Sequence, residues 1–155
     1  MPPDAPGAPA EPHTAAELEA LVGLLPRFGS VVIGHGRDQA STAAARAFAA
    51  RWQAGGGTVL DVVDWPEEAA SWLRQARRFT APAPDAWAVA GSPRGWAGMS
   101  RRLRRGTDWD PARTVGFAPT GGALAQELAG PGTLDGLRGA TADGLTWQVG
   151  DAPAG

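Results

Sequence analysis

The chain has 155 residues, of which 43% are hydrophobic, and a formal net charge of −2. That length and apolar content suit one domain with a buried core, and the near-neutral charge makes no electrostatic case for nucleic acid or an acidic membrane. All 14 basic residues are arginine and cysteine is absent, which excludes lysine Schiff bases, P-loop lysines, thiol nucleophiles, zinc–thiolate sites and disulfides.

The opening MPPDAPGAPAEPH is rich in Pro and Ala, with neither a basic start nor an apolar core. Residues 1–13 are therefore expected to form a disordered arm and not a signal peptide. Thr14 with Glu17 three residues on is a capping box and predicts a helix to about Leu25, stopped by Pro26 and Gly29. Val31–Gly34 reads as the first strand. Ala43–Gln53 has a helical composition and ends at Gly55-Gly56-Gly57. Thr58–Val63 is the second strand. Asp64-Trp65-Pro66-Glu67 then reads as a helix start, with Asp64 as cap and Pro66 in the first turn; Arg74, Arg77 and Arg78 close that helix.

Ala86–Ala90 is the third strand, followed by Ser92 as cap, Pro93 at the first helical position, and a helix to Gly106. Its run Arg101-Arg102-Leu103-Arg104-Arg105 spreads charge around a solvated side, with one leucine turned inward. Thr114–Ala118 is the fourth strand, and Thr120 is read as the cap of a short helix ending at Gly130-Pro131. Gly139–Ala142 and Leu145–Val149 are short fifth and sixth strands. Residues 14–150 thus read as a single domain and 151–155 as a flexible tail. No apolar run approaches the roughly 18 residues of a membrane span, so membrane insertion is not expected.

Strands alternating with helices at this spacing imply right-handed βαβ units. The expected fold is α/β: a single doubly wound, mostly parallel sheet with helices on both faces, a flavodoxin-like three-layer arrangement. Ligands in such sheets sit outside the carboxyl ends of the strands, where helix N-termini offer unpaired N–H groups. The candidate ligand-binding residues follow from that placement. They are His35, Arg37, Asp38, Ser41 and Thr42 after the first strand, Asp64 after the second, Ser92, Arg94 and Trp96 after the third, and Thr120 after the fourth. Most also have a plain structural reading. Asp38, Ser41, Thr42, Asp64 and Ser92 are capping residue types, Arg94 suits solvent as well as an anion, and His35 lacks a nucleophile or metal partner in sequence. Trp65 lies on the same edge, whereas Trp52, Trp72, Trp87, Trp109 and Trp147 read as core or interface.

No G-x-G-x-x-G, G-x-x-x-x-G-K or G-x-S-x-G occurs. The two histidines, His13 and His35, make no zinc site without carboxylates. No catalytic residue, metal or cofactor is assigned.

Four segments in order carry a family likeness. They are SVVIGHGRDQASTAAARAFAARWQAGGGTVLDVV, PDAWAVAGSPRGWAGMSRRLRRG, RTVGFAPT and LDGLRGATADG. Together, residues 30–149 resemble the carboxy-terminal lobe of type I periplasmic solute-binding proteins, the branched-chain amino-acid group of ABC importers. The resemblance implies a non-catalytic lobe that helps clamp a ligand by hinge closure. It places Ser92 and Thr120 among the contact positions, and Thr120 is neutral where amino-acid binders of this type tend to hold an acid for the ligand ammonium. It also implies a small polar molecule as ligand, with a second lobe or another copy of the chain as partner, and no nucleic acid. The expected location is cytoplasmic for the chain as it stands, and extracytoplasmic for a fragment of an exported protein. Two other readings stay open at this point: an enzyme on a flavodoxin-like scaffold using His35 with Asp38 or Asp64, and a protein–protein interaction domain.

Overall fold

The computed structural model describes residues 11–27 and 29–150. The expected disordered arm and tail fall mainly on 1–10 and 151–155, outside the described residues. The capping box forms as read. Thr14 Oγ1 accepts from the Glu17 N–H at 3.0 Å and Glu17 Oε1 accepts from the Thr14 N–H at 3.3 Å. It opens α1, Ala15–Gly23. Then follow β1 (Ser30–Gly36), α2 (Gln39–Ala54), β2 (Thr58–Trp65), α3 (Leu73–Thr80), β3 (Ala86–Ala90), α4 (Pro93–Arg104), β4 (Thr114–Gly116), α5 (Ala123–Ala129), β5 (Arg138–Ala140) and β6 (Thr146–Gln148).

The six strands make one sheet in the order β2-β1-β3-β4-β5-β6. Every pairing is parallel except β5 with β6. This is the doubly wound order whose switch point lies between β1 and β3. The alternation of side chains along the strands supplies the two faces. Val31 and Ile33 of β1, with Ala86, Ala88 and Ala90 of β3, pack under Leu21 of α1 and Ala44, Ala45, Phe48 and Trp52 of α2. Val32, Trp87 and Val89 point the other way, into Ala76 and Phe79 of α3, Trp96, Met99 and Leu103 of α4, and Ala125 and Ala129 of α5. Leu103 is buried between its arginine neighbours, as its place in that run requires. At Gly34 a Cβ would stand 2.5 Å from the Trp65 ring and 2.6 Å from Phe79, so only glycine lets both aromatics cross β1 there.

Several boundaries differ from the sequence reading, and the shifts at β1, β2 and α2 move candidate residues. β1 and β2 both run two residues further than expected, so His35 and Asp64 are paired strand residues and Asp64 caps no helix. Helix α2 begins at Gln39 under Asp38, whose Oδ2 accepts from the Ser41 N–H at 3.0 Å. Ser41 and Thr42 are thus first-turn helical residues and not caps. Residues 66–72 are irregular, and α3 begins only at Leu73, without a side-chain cap. That linker is tied down by Trp72, whose indole N–H donates to the Pro66 carbonyl at 3.1 Å and whose ring closes on Gly98 of α4. Thr120 is a correction of the same kind. It ends a single 3-10 turn, Ala118–Thr120, and α5 starts after Gly122.

Candidate functional site

The carboxyl ends of β1 to β4 form one edge of the molecule. On the α3/α4 side that edge is occupied by the chain itself. Ser92 caps α4, accepting from the Gly95 N–H at 3.4 Å. The Glu67 carboxylate lies on the same helix end: its Oε1 accepts from the Gly95 N–H at 3.1 Å, and the Ser92 hydroxyl donates to it. Glycine at 95 is what admits it, since a Cβ there would stand 2.8 Å from Glu67 Oε2. A carboxylate at a helix N-terminus is favoured by the aligned peptide dipoles and the unpaired N–H groups. Arg94 is drawn to Glu68 at 3.1 Å. Ser92 and Arg94 therefore stand on the edge, already engaged.

Trp96 does not. It is fully buried beneath α4, tilted against Trp65 with centroids 5.7 Å apart and edge-on to Trp109 at 5.6 Å. Position 96 lies on the first full turn of α4, on the stripe that faces the sheet, so the ring goes inward and forms a floor under the edge instead of a wall on it. Trp65 is buried for the matching reason: it ends β2 on the face covered by α3 and α4. The indole N–H groups of Trp65 and Trp96 have no acceptor among the described residues. Thr120 is also fully buried. Its hydroxyl donates to the Phe117 carbonyl at 2.7 Å and fills the space above Gly116.

The α1/α2 side is different, with two clefts. One, of about 460 Å3, lies between the first residues of α1, the first turn of α2 and the ends of β3 and β4. His13, Glu17, Ser41, Gly91, Phe117 and Ala118 define it. Of the sequence candidates, only Ser41 comes here. Glu17 is buried, and its second oxygen accepts from the Ala118 N–H at 2.7 Å, so it satisfies the turn after β4 as well as the start of α1. His13 sets its ring edge-on to Phe117, with centroids 5.6 Å apart, and its Nδ1 is buried without a partner among the described residues. The sequence reading missed both as site residues. Glu17 was legible as a capping residue and nothing more, and His13 fell at the end of the expected arm.

The second cleft, of about 380 Å3, lies on the flank between α2 and β2 and gathers His35, Arg37, Thr42 and Asp64 with Arg46 and Val62. Arg37 and Asp64 are paired at 3.3 Å, both half-exposed. His35 is buried, with Nδ1 2.6 Å from the Gly36 carbonyl oxygen. A carbonyl only accepts, so the neutral ring carries its proton on Nδ1. Among the described residues no hydrogen bond joins His35 to a carboxylate, which leaves it without the orienting acid that a general base needs. No group of three or more His, Cys, Asp or Glu side chains converges on a metal position among the described residues.

Two groups elsewhere on the molecule are held off their ordinary range. Arg51 is held above its ordinary range by the hydrogen bond and charge of Glu19 at 2.8 Å. Asp85, at the opposite end of the sheet, is held below the usual carboxylate range, first by the N–H and then by the hydroxyl of Ser30. No helix among the described residues is long and apolar enough to cross a membrane.

No family model and no curated protein matches the chain. Solved structures do. A periplasmic binding protein type 1 from Bordetella pertussis Tohama I is 21% identical with a TM-score of 0.65, over 80% of this chain and 33% of its own. A leucine binding protein from Thermotoga maritima MSB8 is 18% identical with a TM-score of 0.64, over 79% and 35%. An ABC transporter substrate-binding protein from Sphaerobacter thermophilus is 15% identical with a TM-score of 0.63, over 82% and 34%. The chain spans about a third of the length of each. At these identities the likeness is one of fold: the chain is a single mostly parallel α/β layer with the architecture of one lobe of a type I periplasmic binding protein.

Proposed function

We propose that the chain is a non-catalytic solute-binding module that holds a small polar molecule in the 460 Å3 cleft at the ends of β3 and β4. The observation that carries this reading is the position of that cleft, at the carboxyl edge beside the β1/β3 switch point of a fold shared with binding proteins. Ser41 and the backbone at Gly91 supply polar contacts, and Ala44, Ala90 and Phe117 an apolar wall. The family resemblance would place a ligand's ammonium at Thr120, which is neutral and buried, and Glu17 is engaged by backbone N–H groups. A neutral polar ligand therefore suits the cleft better than a zwitterion. One lobe offers one wall, so a second lobe or a second copy of the chain is the proposed partner. The likeness to a periplasmic protein supports a site of action outside the cytoplasm. His35, with no carboxylate partner among the described residues, supports binding over catalysis.

Isothermal titration with leucine, isoleucine, valine and the neutral N-acetyl-leucinamide tests this reading. The neutral amide is expected to give saturable heat, and Ala40→Trp, which places a large ring in the cleft from a half-buried lining position, to abolish it. Silence across the panel, with the far-ultraviolet circular dichroism of a folded chain, would overturn an independent ligand site.

A further inference from the structure

We propose a second binding site, in the 380 Å3 cleft between α2 and β2, that takes a small organic anion: an oxyanion head on a short apolar body. Thr42, Ala45, Arg46 and Ala49 all line this cleft and recur at helical spacing, so they form one stripe of α2 turned toward β2. The alanines keep that stripe shallow. Val62, on the face of β2 that α2 flanks, is left 42% exposed as an apolar floor. The charges are unequally committed. Arg37 neutralises Asp64 at 3.3 Å, whereas Arg46 has no ion-pair or hydrogen-bond partner among the described residues. The cleft therefore presents one uncommitted guanidinium above an apolar surface, with the Thr42 hydroxyl four residues before it on the same stripe. A guanidinium offers a planar fork of donors that fits a carboxylate two bonds at a time. A short-chain carboxylate meets both halves, head on Arg46 and Thr42, chain on Val62 and Ala49.

The site does not depend on the reading of the larger cleft. A titration of the full chain with sodium butyrate, followed by 1H–15N correlation spectra at constant ionic strength, tests it. Saturable shifts are expected for amides of 42–49 and 62–64. Arg46→Gln, an exposed change, is expected to weaken binding about tenfold. Acetate is expected to bind more weakly than butyrate, butylamine not at all, and Ala40→Trp to leave the butyrate titration intact. Shifts that do not saturate, an Arg46→Gln protein that binds as the parent does, or equal shifts from butylamine would each overturn the site.

Discussion

The two sides of the carboxyl edge are built from the same parts, a strand end, a short loop and a helix N-terminus, and they end in opposite states. On the α3/α4 side Glu67 lies on the start of α4 and Glu68 holds Arg94, so the loop after β2 closes the loop after β3. On the α1/α2 side the first turns of the helices carry alanine where α4 carries Trp96, and two clefts remain. The fold supplies the edge; the chain's own carboxylates and the bulk of its side chains decide which parts of it stay available. A carboxylate already present at helix end or turn is a competitor that any anionic ligand must displace. That holds for Glu67 at α4 and for Glu17 at the turn after β4; Glu17 lines the larger cleft as an already engaged carboxylate, and the α2/β2 cleft uses neither.

The comparison breaks most visibly at the tryptophan floor. Trp96→Ala removes a fully buried ring that touches both Trp65 and Trp109, and it is expected to cost about 3–5 kcal/mol of unfolding free energy. Trp96→Phe keeps a ring and deletes an indole N–H that has no acceptor among the described residues, so it should cost clearly less. Urea unfolding of both variants measures the difference. Equal losses would mean that the N–H finds an acceptor and that the floor is polar as well as aromatic.

A finer contrast separates the two edge carboxylates. Glu17 is buried and serves two backbone N–H groups, at Thr14 and Ala118. Truncating it to alanine strands the Ala118 donor and is expected to cost about 1–3 kcal/mol. Glu67 is exposed, and Ser92 still caps Gly95 without it, so Glu67→Ala should cost about 1 kcal/mol or less. Chemical denaturation of the pair ranks them. A Glu67 variant as damaged as the Glu17 variant would show that the closed side depends on its carboxylate, and not on its tryptophans.

Much of this arrangement was legible in the sequence, and the parts that were not have a common cause. Thr14 with Glu17 and the Ser92-Pro93 pair signal helix starts through short-range bonding and act as read, while Asp38, one of three capping types expected before Ala43, is the one that caps and starts α2 four residues early. The β3 boundaries, Ala86–Ala90, are those expected, because a fully apolar run between polar loops marks a strand buried on both faces. Asp64-Trp65-Pro66-Glu67 misleads because its local signal is good and a distant one is stronger. β2 gains two more pairs against β1 by continuing to Trp65, and Glu67 is taken up by a helix that starts 26 residues later in the chain. The positions of Trp96 and Thr120 on the edge were readable, but the side to which each turns was not. That choice is made by Trp65, Trp109 and Gly116, which no local pattern connects to them.

The smallest expected effect lies at the opposite end of the sheet and serves as its control. Asp85 joins the starts of β1 and β3, accepting from the Ser30 N–H at 2.9 Å and from its hydroxyl at 3.2 Å. Those donors hold its carboxyl below the usual carboxylate range, with a lesser push from Arg113. Because the folded value is depressed, the stability it contributes is fully present above the unfolded carboxylate range, near pH 4, and is lost as the pH falls through that range toward the folded value. The parent chain should therefore lose slightly more stability than Asp85→Asn between neutral and acidic pH, read as urea midpoints at each pH. Neither protein should change its butyrate titration at neutral pH, since the α2/β2 cleft opens at the other end of β1. Parallel pH profiles for the two proteins would show that the Ser30 donors bind the protonated and ionised carboxyl equally well, and would leave the pairing of β1 with β3 to the strand ladder alone.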